Sequence, residues 1–122
     1  MKDRTIRIGI SSGRRQLAEA RDAWRRAEKG LPPVEPVERL YFPDTATMFR
    51  ALSATKLELL SVLRRHGTMN VLALSRKLRR DYKNVYEDVR ILRRFGLIQK
   101  SGAGIKVPFD AIQMDAEIRL AA

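Results

Sequence analysis

An α+β fold is predicted for this 122-residue chain, and three observations predict it. Residues 70–95 hold two short amphipathic helical segments joined almost without a linker. Two strand-like runs around a Gly-rich loop follow them directly. Elsewhere, Thr5 to Ile10 and Ile112 to Leu120 alternate apolar and polar residues with the period of a half-buried strand. Helix, turn, helix, hairpin is the order of a winged helix-turn-helix. The expected architecture is therefore a winged helix-turn-helix domain over residues 35–122, with a C-terminal strand. A strand-helix arm and a Pro-rich linker precede it over residues 1–34.

Taken in order, the first strand sets Ile6, Ile8 and Ile10 on one face, and Ser11-Ser12-Gly13 breaks it. From Arg14 to Lys29 a helix is expected, with Leu17, Ala20, Trp24 and Ala27 at mixed three- and four-residue spacing. That seam is only about two heptads long, too short to stand alone. It must pack on its own domain, on a second subunit or on a partner protein. The Ser-Ser-Gly run before this helix is not a phosphate loop, because no Gly-Lys-Ser/Thr follows at the required spacing.

Pro32, Pro33 and Pro36 make residues 30–36 a stiff, extended connector. Val37 to Phe42 then looks like a strand, and a helix is expected from about Thr45, capped by Asp44 and presenting Met48, Phe49 and Leu52 as its apolar side. Ser53 starts the next helix and Gly67 ends it. Leu57, Leu59, Leu60, Val62 and Leu63 occupy more than half its circumference, as in a helix buried on several sides.

In the central stretch Asn70 is a good N-cap, and Val71, Leu74, Ser75 and Leu78 share one helical face. The second helix opens on Asp81, a further N-cap candidate, and sets Val85, Val89 and Leu92 inward. Gly96 stands just past its end, where a left-handed residue is favoured. Leu97 to Lys100 and Ile105 to Val107 flank the loop 101–104 as the two strands of a hairpin. The final strand, Ile112 to Leu120, is about nine residues long and needs a neighbour. Val37 to Phe42, Thr5 to Ile10 and the same strand of a second chain are the candidates.

Charge indicates what the central stretch touches. Between Arg64 and Lys106 there are twelve Lys/Arg and three Asp/Glu, a balance of +9; the whole chain is +11, so the other 79 residues contribute only +2. Opposite the buried face of the second helix project Lys83, Glu87, Arg90 and Arg94, with Tyr86 to one side. A helix carrying that surface into a major groove has groups for both phosphates and base edges. The bland alternative is a solvated basic face, and the coincidence of charge with the helix pair argues against it.

Composition excludes several classes. No apolar run reaches the length of a membrane span, and the N-terminus lacks the apolar core of a signal peptide, so a cytoplasmic protein is expected. There is no cysteine, hence no disulfide or thiolate site. His66, the single histidine, cannot anchor an ordinary zinc site without such partners. Glu87 and Asp88 are adjacent and point to different helix faces. No catalytic constellation can be nominated, and neither an enzyme nor a cofactor is expected.

The run LSATKLELLSVLRRHG…LALSRKLRRDYKNVYEDVRILRRFGLIQKSGAGIKVPFDAI resembles a family of prokaryotic winged helix-turn-helix regulators, broadly MarR-like. The matching positions are Arg80, Asp81, Tyr82, Lys83, Asn84, Val85, Asp88, Val89, Leu92, Gly96 and Leu97, then Pro108, Phe109 and Asp110 at the end of the wing. The resemblance covers roughly Tyr41 to Leu120. It implies a DNA-binding domain, and it brings an antitoxin role into view, because many bacterial relatives sit beside a small toxin gene. Relatives often carry Gly in the inter-helix turn, where this chain has Arg79.

The expected function is sequence-specific binding of double-stranded DNA by a homodimeric transcriptional regulator. Its recognition helix spans about 82–95 and its wing about 97–107. The residues expected at DNA are Arg79, Arg80, Tyr82, Lys83, Asn84, Tyr86, Glu87, Arg90 and Arg94, with Lys100 and Lys106 from the wing. Leu17, Trp24, Ile112, Met114 and Ile118 are the expected dimer or partner contacts. The alternatives are an antitoxin that holds its toxin through the N-terminal arm and a winged-helix protein-interaction adaptor. An RNA-binding role finds no aromatic stacking platform in the sequence.

Overall fold

The structure, a computed structural model, describes residues 4–10, 13–31, 38–116, 118 and 120. Among these residues the order is β1 (Thr5–Ile10), α1 (Gly13–Glu28), β2 (Glu38–Phe42), α2 (Thr45–Ala51), α3 (Ala54–His66), α4 (Val71–Leu78), α5 (Tyr82–Arg94), β3 (Gln99–Ser101), β4 (Gly104–Lys106) and β5 (Ala111–Asp115). The fold is α+β, with five helices and two small sheets among the described residues. Most of the expected Pro-rich connector lies outside them.

The first sheet has the order β2-β1-β5 and is parallel throughout. Strands β1 and β2 run the same way, so the chain must cross back between them, and α1 supplies the crossover. The strand expected in the N-terminal arm is thus the central strand of the sheet. Its Ile6 and Ile8 are buried in one apolar cluster with Phe42, Leu59, Leu63 and Leu92. The rings of Phe42 and Phe95 stand 5.0 Å apart, joining the sheet to the end of α5.

Of the neighbours open to the C-terminal strand, β1 is the one observed, in a register that pairs Thr5 with Ala111 and Gly9 with Asp115. The strand is shorter than the alternation suggests: it ends at Asp115, and Ile118 and Leu120 lie exposed beyond it. The reason is the length of its partner. A six-residue β1 has almost no backbone left to pair once Gly9 is opposite Asp115. Ile112 is half-buried against the core, whereas Met114 is exposed.

Helix boundaries follow the capping residues. Asp44 accepts from the Thr47 amide at 2.7 Å, Ser53 from that of Lys56 at 3.3 Å, and Asn70 from that of Ala73 at 2.8 Å. Asp81 holds the N-cap position of α5, but its side chain makes no cap bond; its carbonyl accepts from Val85. In α2 the buried residues are Met48 and Ala51, with Leu52 just after, and Phe49 is exposed. Met48, Ala51 and Leu52 share a face at i, i+3 and i+4, and Phe49 stands about 100° away from it.

Helix α3 is the core helix expected. Leu59, Leu60 and Leu63 are buried, and Leu57 and Val62 pack on the same cluster. Helix α1 is different. Tyr41 donates to Glu19 at 3.4 Å and Arg39 forms an ion pair with the same carboxylate, so polar contacts tie α1 to the outer face of the sheet. Leu17 is 52% and Trp24 69% exposed. Among the described residues, the two large side chains of the expected seam stand mostly in solvent rather than in the core.

Candidate nucleic-acid interface

The candidate surface is built on α4, the turn after it, α5 and the β3–β4 hairpin. Helix α4 buries Leu74 and Ser75, and the Ser75 hydroxyl donates to the Leu72 carbonyl at 2.7 Å. The helix stops at Arg79, which has φ 55° and ψ 44°. The Arg79 amide reaches Arg76 O at 3.2 Å and the Arg80 amide reaches Ser75 O at 3.1 Å, the paired bonds of a Schellman cap. That cap needs a left-handed residue, which explains why Gly would suit the position. Arg79 adopts the conformation in place of Gly and is the one positive-φ non-glycine among the described residues.

Beyond the turn, α5 buries Val85, Val89 and Leu92. The opposite face carries Lys83, Glu87, Arg90 and Arg94 at i, i+4, i+7 and i+11, all exposed. Glu87 lies 3.9 Å from Arg90 on that face, a loose exposed pair of little energetic weight. Tyr82, Tyr86 and Arg93 form a second exposed stripe along one flank. Asn84, two residues from Tyr82 and Tyr86, stands about 200° round the helix from each and is exposed away from them.

Arg80 is held differently from its neighbour. Its Nη2 donates to Asp88 Oδ2 at 2.7 Å, and the side chain is only 26% exposed. Lys56 Nζ on α3 lies 4.0 Å from the other oxygen of Asp88. Nη1 of Arg80 is buried without a hydrogen-bond partner among the described residues. Of the two turn arginines expected at DNA, then, Arg79 projects into solvent and Arg80 is anchored to α5.

The hairpin pairs Gln99 with Lys106, Lys100 with Ile105 and Ser101 with Gly104, leaving Gly102-Ala103 as the loop. A positive φ at Gly102 alone of these two is the pattern of a type II′ turn. Residue Met69, next to the α4 cap, bonds both ways with Ile105, at 3.1 and 2.9 Å. A Cβ on Gly104 would lie 2.9 Å from Met69 O, so only glycine permits this close approach. Lys100 and Lys106 are both exposed, but their register places them on opposite faces of the hairpin. Lys100 borders a groove of about 360 Å³, whose lining includes Leu72, Tyr82, Arg93, Lys100 and Ile105.

The surface therefore brings together Tyr82, Tyr86, Lys83, Arg90 and Arg94 on α5, with Lys100 at the edge of the groove. Lys106 and Asn84 leave in other directions. Arg93 and Leu72 were missed by the sequence reading. Arg93 is eleven residues after Tyr82, three turns along the same stripe, and that spacing is the signal that identifies it. Leu72 lies outside the face Val71, Leu74, Ser75 and Leu78 and lines the groove. Of the expected dimer or partner contacts, Leu17, Trp24, Met114 and Ile118 are exposed, and Ile112 is half-buried against the core.

A second cleft, of about 270 Å³, lies between α1 and the outer face of the sheet; its lining includes Arg7, Glu19, Arg39, Tyr41 and Asp115. Among the described residues no group of His, Cys, Asp and Glu is placed to hold a metal ion, and no helix is long and apolar enough to cross a membrane.

Comparison with curated proteins and with solved structures returns no match. A family profile, HVO_A0114, matches residues 51–114, that is 64 of the 122 residues, from the end of α2 through the helix pair and hairpin to β5. By that match, the chain belongs to the HVO_A0114 family.

Proposed function

We propose that this chain is a sequence-specific double-stranded DNA-binding regulator. In this reading α3, α4, α5 and the β3–β4 hairpin act as a winged helix-turn-helix of the MarR-like kind. Helix α5 enters the major groove, the hairpin lies along the backbone or minor groove, and two copies bind a two-fold site. The observation that carries the reading is the stripe Lys83, Arg90 and Arg94, exposed on the side of α5 opposite its buried Val85, Val89 and Leu92. Arg79 at one end and Lys100 beside the flank extend the same positive surface. Such a surface meets phosphates through charge and base edges through its long side chains.

The test is a titration of specific and random duplexes against salt. Affinity should fall by about 0.9 log units per log unit of salt for each phosphate neutralised. Failure to bind any duplex at low salt rejects the reading.

A second reading is favoured by the exposed Leu17 and Trp24 of α1. Here the same DNA-binding protein is an antitoxin whose α1 seam holds a toxin. The intact protein should then protect cells against the product of a neighbouring gene, and a Leu17→Asp, Trp24→Asp variant should lose protection while keeping DNA binding. A bare protein-interaction adaptor has no use for the basic stripe, and charge therefore favours DNA over it.

A further inference from the structure

The basic surface around α5 contains an apolar patch. Tyr82 and Tyr86 are each 48% exposed and Leu72 46% exposed. The two tyrosine rings stand 6.1 Å apart, tilted by 33°, along the flank of α5. Leu72 and Tyr82 line the groove beneath, and Arg93 and Lys100 stand at the same groove. Lys83 and Arg90 flank the rings on the outward side, as the helical spacing requires. Gathered around one groove inside a cationic field, these half-exposed side chains form a patch suited to an occupant.

The cations select an anionic partner, and the rings select an apolar feature on it. In a DNA major groove the one apolar group that distinguishes bases is the thymine C5-methyl. We propose that Tyr82, Tyr86 and Leu72 are specificity-determining residues that read thymine methyl groups, while the surrounding lysines and arginines hold the phosphates. This rests on the DNA-binding reading and sharpens it: the preferred site carries thymine where the α5 flank meets the groove floor.

The experiment uses the full chain and the duplex that it selects from a random pool. Each thymine is replaced in turn by uracil, which removes the methyl and leaves base pairing intact. Binding should weaken about fourfold at one or more positions, the worth of one buried carbon. Tyr86→Ala, Tyr82→Ala and Leu72→Ser should bind the thymine and uracil duplexes more nearly alike, as in a double-mutant cycle. Since all three residues are exposed, circular dichroism should report folded variants.

Equal binding of thymine and uracil duplexes by the wild type at every position overturns the proposal. So does full discrimination retained by all three variants, and if those variants also change the oligomeric state the patch belongs to a second copy of the chain. A wild-type chain that binds no duplex at low salt overturns the DNA reading itself, a result the salt titration separates from loss of methyl recognition.

Discussion

Arg80 Nη2 donates to Asp88 Oδ2 at 2.7 Å, spanning eight residues from the inter-helix turn to the middle of α5. Both side chains are mostly withdrawn from solvent, at 26% and 17% exposed, and Lys56 approaches the same carboxylate from α3. The pair ties the inter-helix turn to the middle of α5. Arg80→Ala should therefore lower the unfolding free energy by roughly 1–3 kcal/mol, the range for a charged hydrogen bond whose partner is left unsatisfied. Urea denaturation reads this directly. An Arg80→Ala protein of unchanged stability that only binds DNA less well restores Arg80 to the role of a phosphate contact.

Arg79 should behave in the opposite way. Its left-handed backbone costs an L-residue about 1 kcal/mol or more, and glycine escapes that cost. Arg79→Gly should thus leave stability unchanged or raise it slightly. In the DNA-binding reading the same change weakens all sequences alike and reduces the salt slope by about 1. Thermal melting and a salt titration on one preparation check both halves. Loss of stability in Arg79→Gly contradicts the assignment of strain to this turn.

Asp110 ties three elements together at the exit of the hairpin. The Arg4 amide donates to its carboxylate at 2.8 Å, its own amide donates to Arg4 O at 2.7 Å, and Arg64 of α3 pairs with it. The backbone bond from Arg4, with Arg64 adding to it, holds the carboxyl below its usual range. A value lower in the folded state means that the unfolded chain takes the proton more readily. The stabilisation is therefore complete above about pH 4 and is lost as pH falls through the folded value. Asp110→Asn should be less stable than the wild type at neutral pH, and the two should converge in acid. Parallel curves of Tm against pH contradict this.

The N-terminal segment allows a test by truncation. Removing residues 1–34 takes away β1, which lies between β2 and β5 and buries Ile6 and Ile8. Two outer strands would lose their shared partner and the core two isoleucines, each worth roughly 2 kcal/mol. The truncated chain should aggregate or melt near room temperature. A double change of the exposed Leu17 and Trp24 to Asp should instead leave the melting temperature within a few degrees. Trp24 is the single tryptophan, so its emission in dilute solution should be red-shifted and open to quencher. A blue-shifted, protected spectrum at micromolar concentration that reverts on dilution shows that a second copy covers the seam.

Much of this was legible in the chain because the rules involved are local. Asp44, Ser53 and Asn70 mark three helix starts because each side-chain oxygen accepts from an amide three residues on that has no intrahelical carbonyl to bond. The buried triplet Val85, Val89 and Leu92 and the basic stripe opposite it are both consequences of a 3.6-residue period. Asp81 shows the limit of such reasoning. It holds the right position and makes no cap bond, because rotamer and neighbours decide whether a suitable residue is used.

What the sequence determined by itself is the order of elements, the faces buried by β1, α3, α4 and α5, and the concentration of charge on residues 64–106. These depend on spacing along the backbone, which folding does not alter. The tertiary structure decided which strands pair, that Thr5–Ile10 is the centre of a parallel sheet, and that the C-terminal ladder stops at Asp115. It decided that Arg80 turns inward to Asp88 while Arg79 stays in water. It also decided that the Leu17–Trp24 seam lies away from the core. The strand pairings depend on groups far apart in the chain competing for the same partner, and the Arg80–Asp88 pair on a side-chain conformation; periodicity ranks neither.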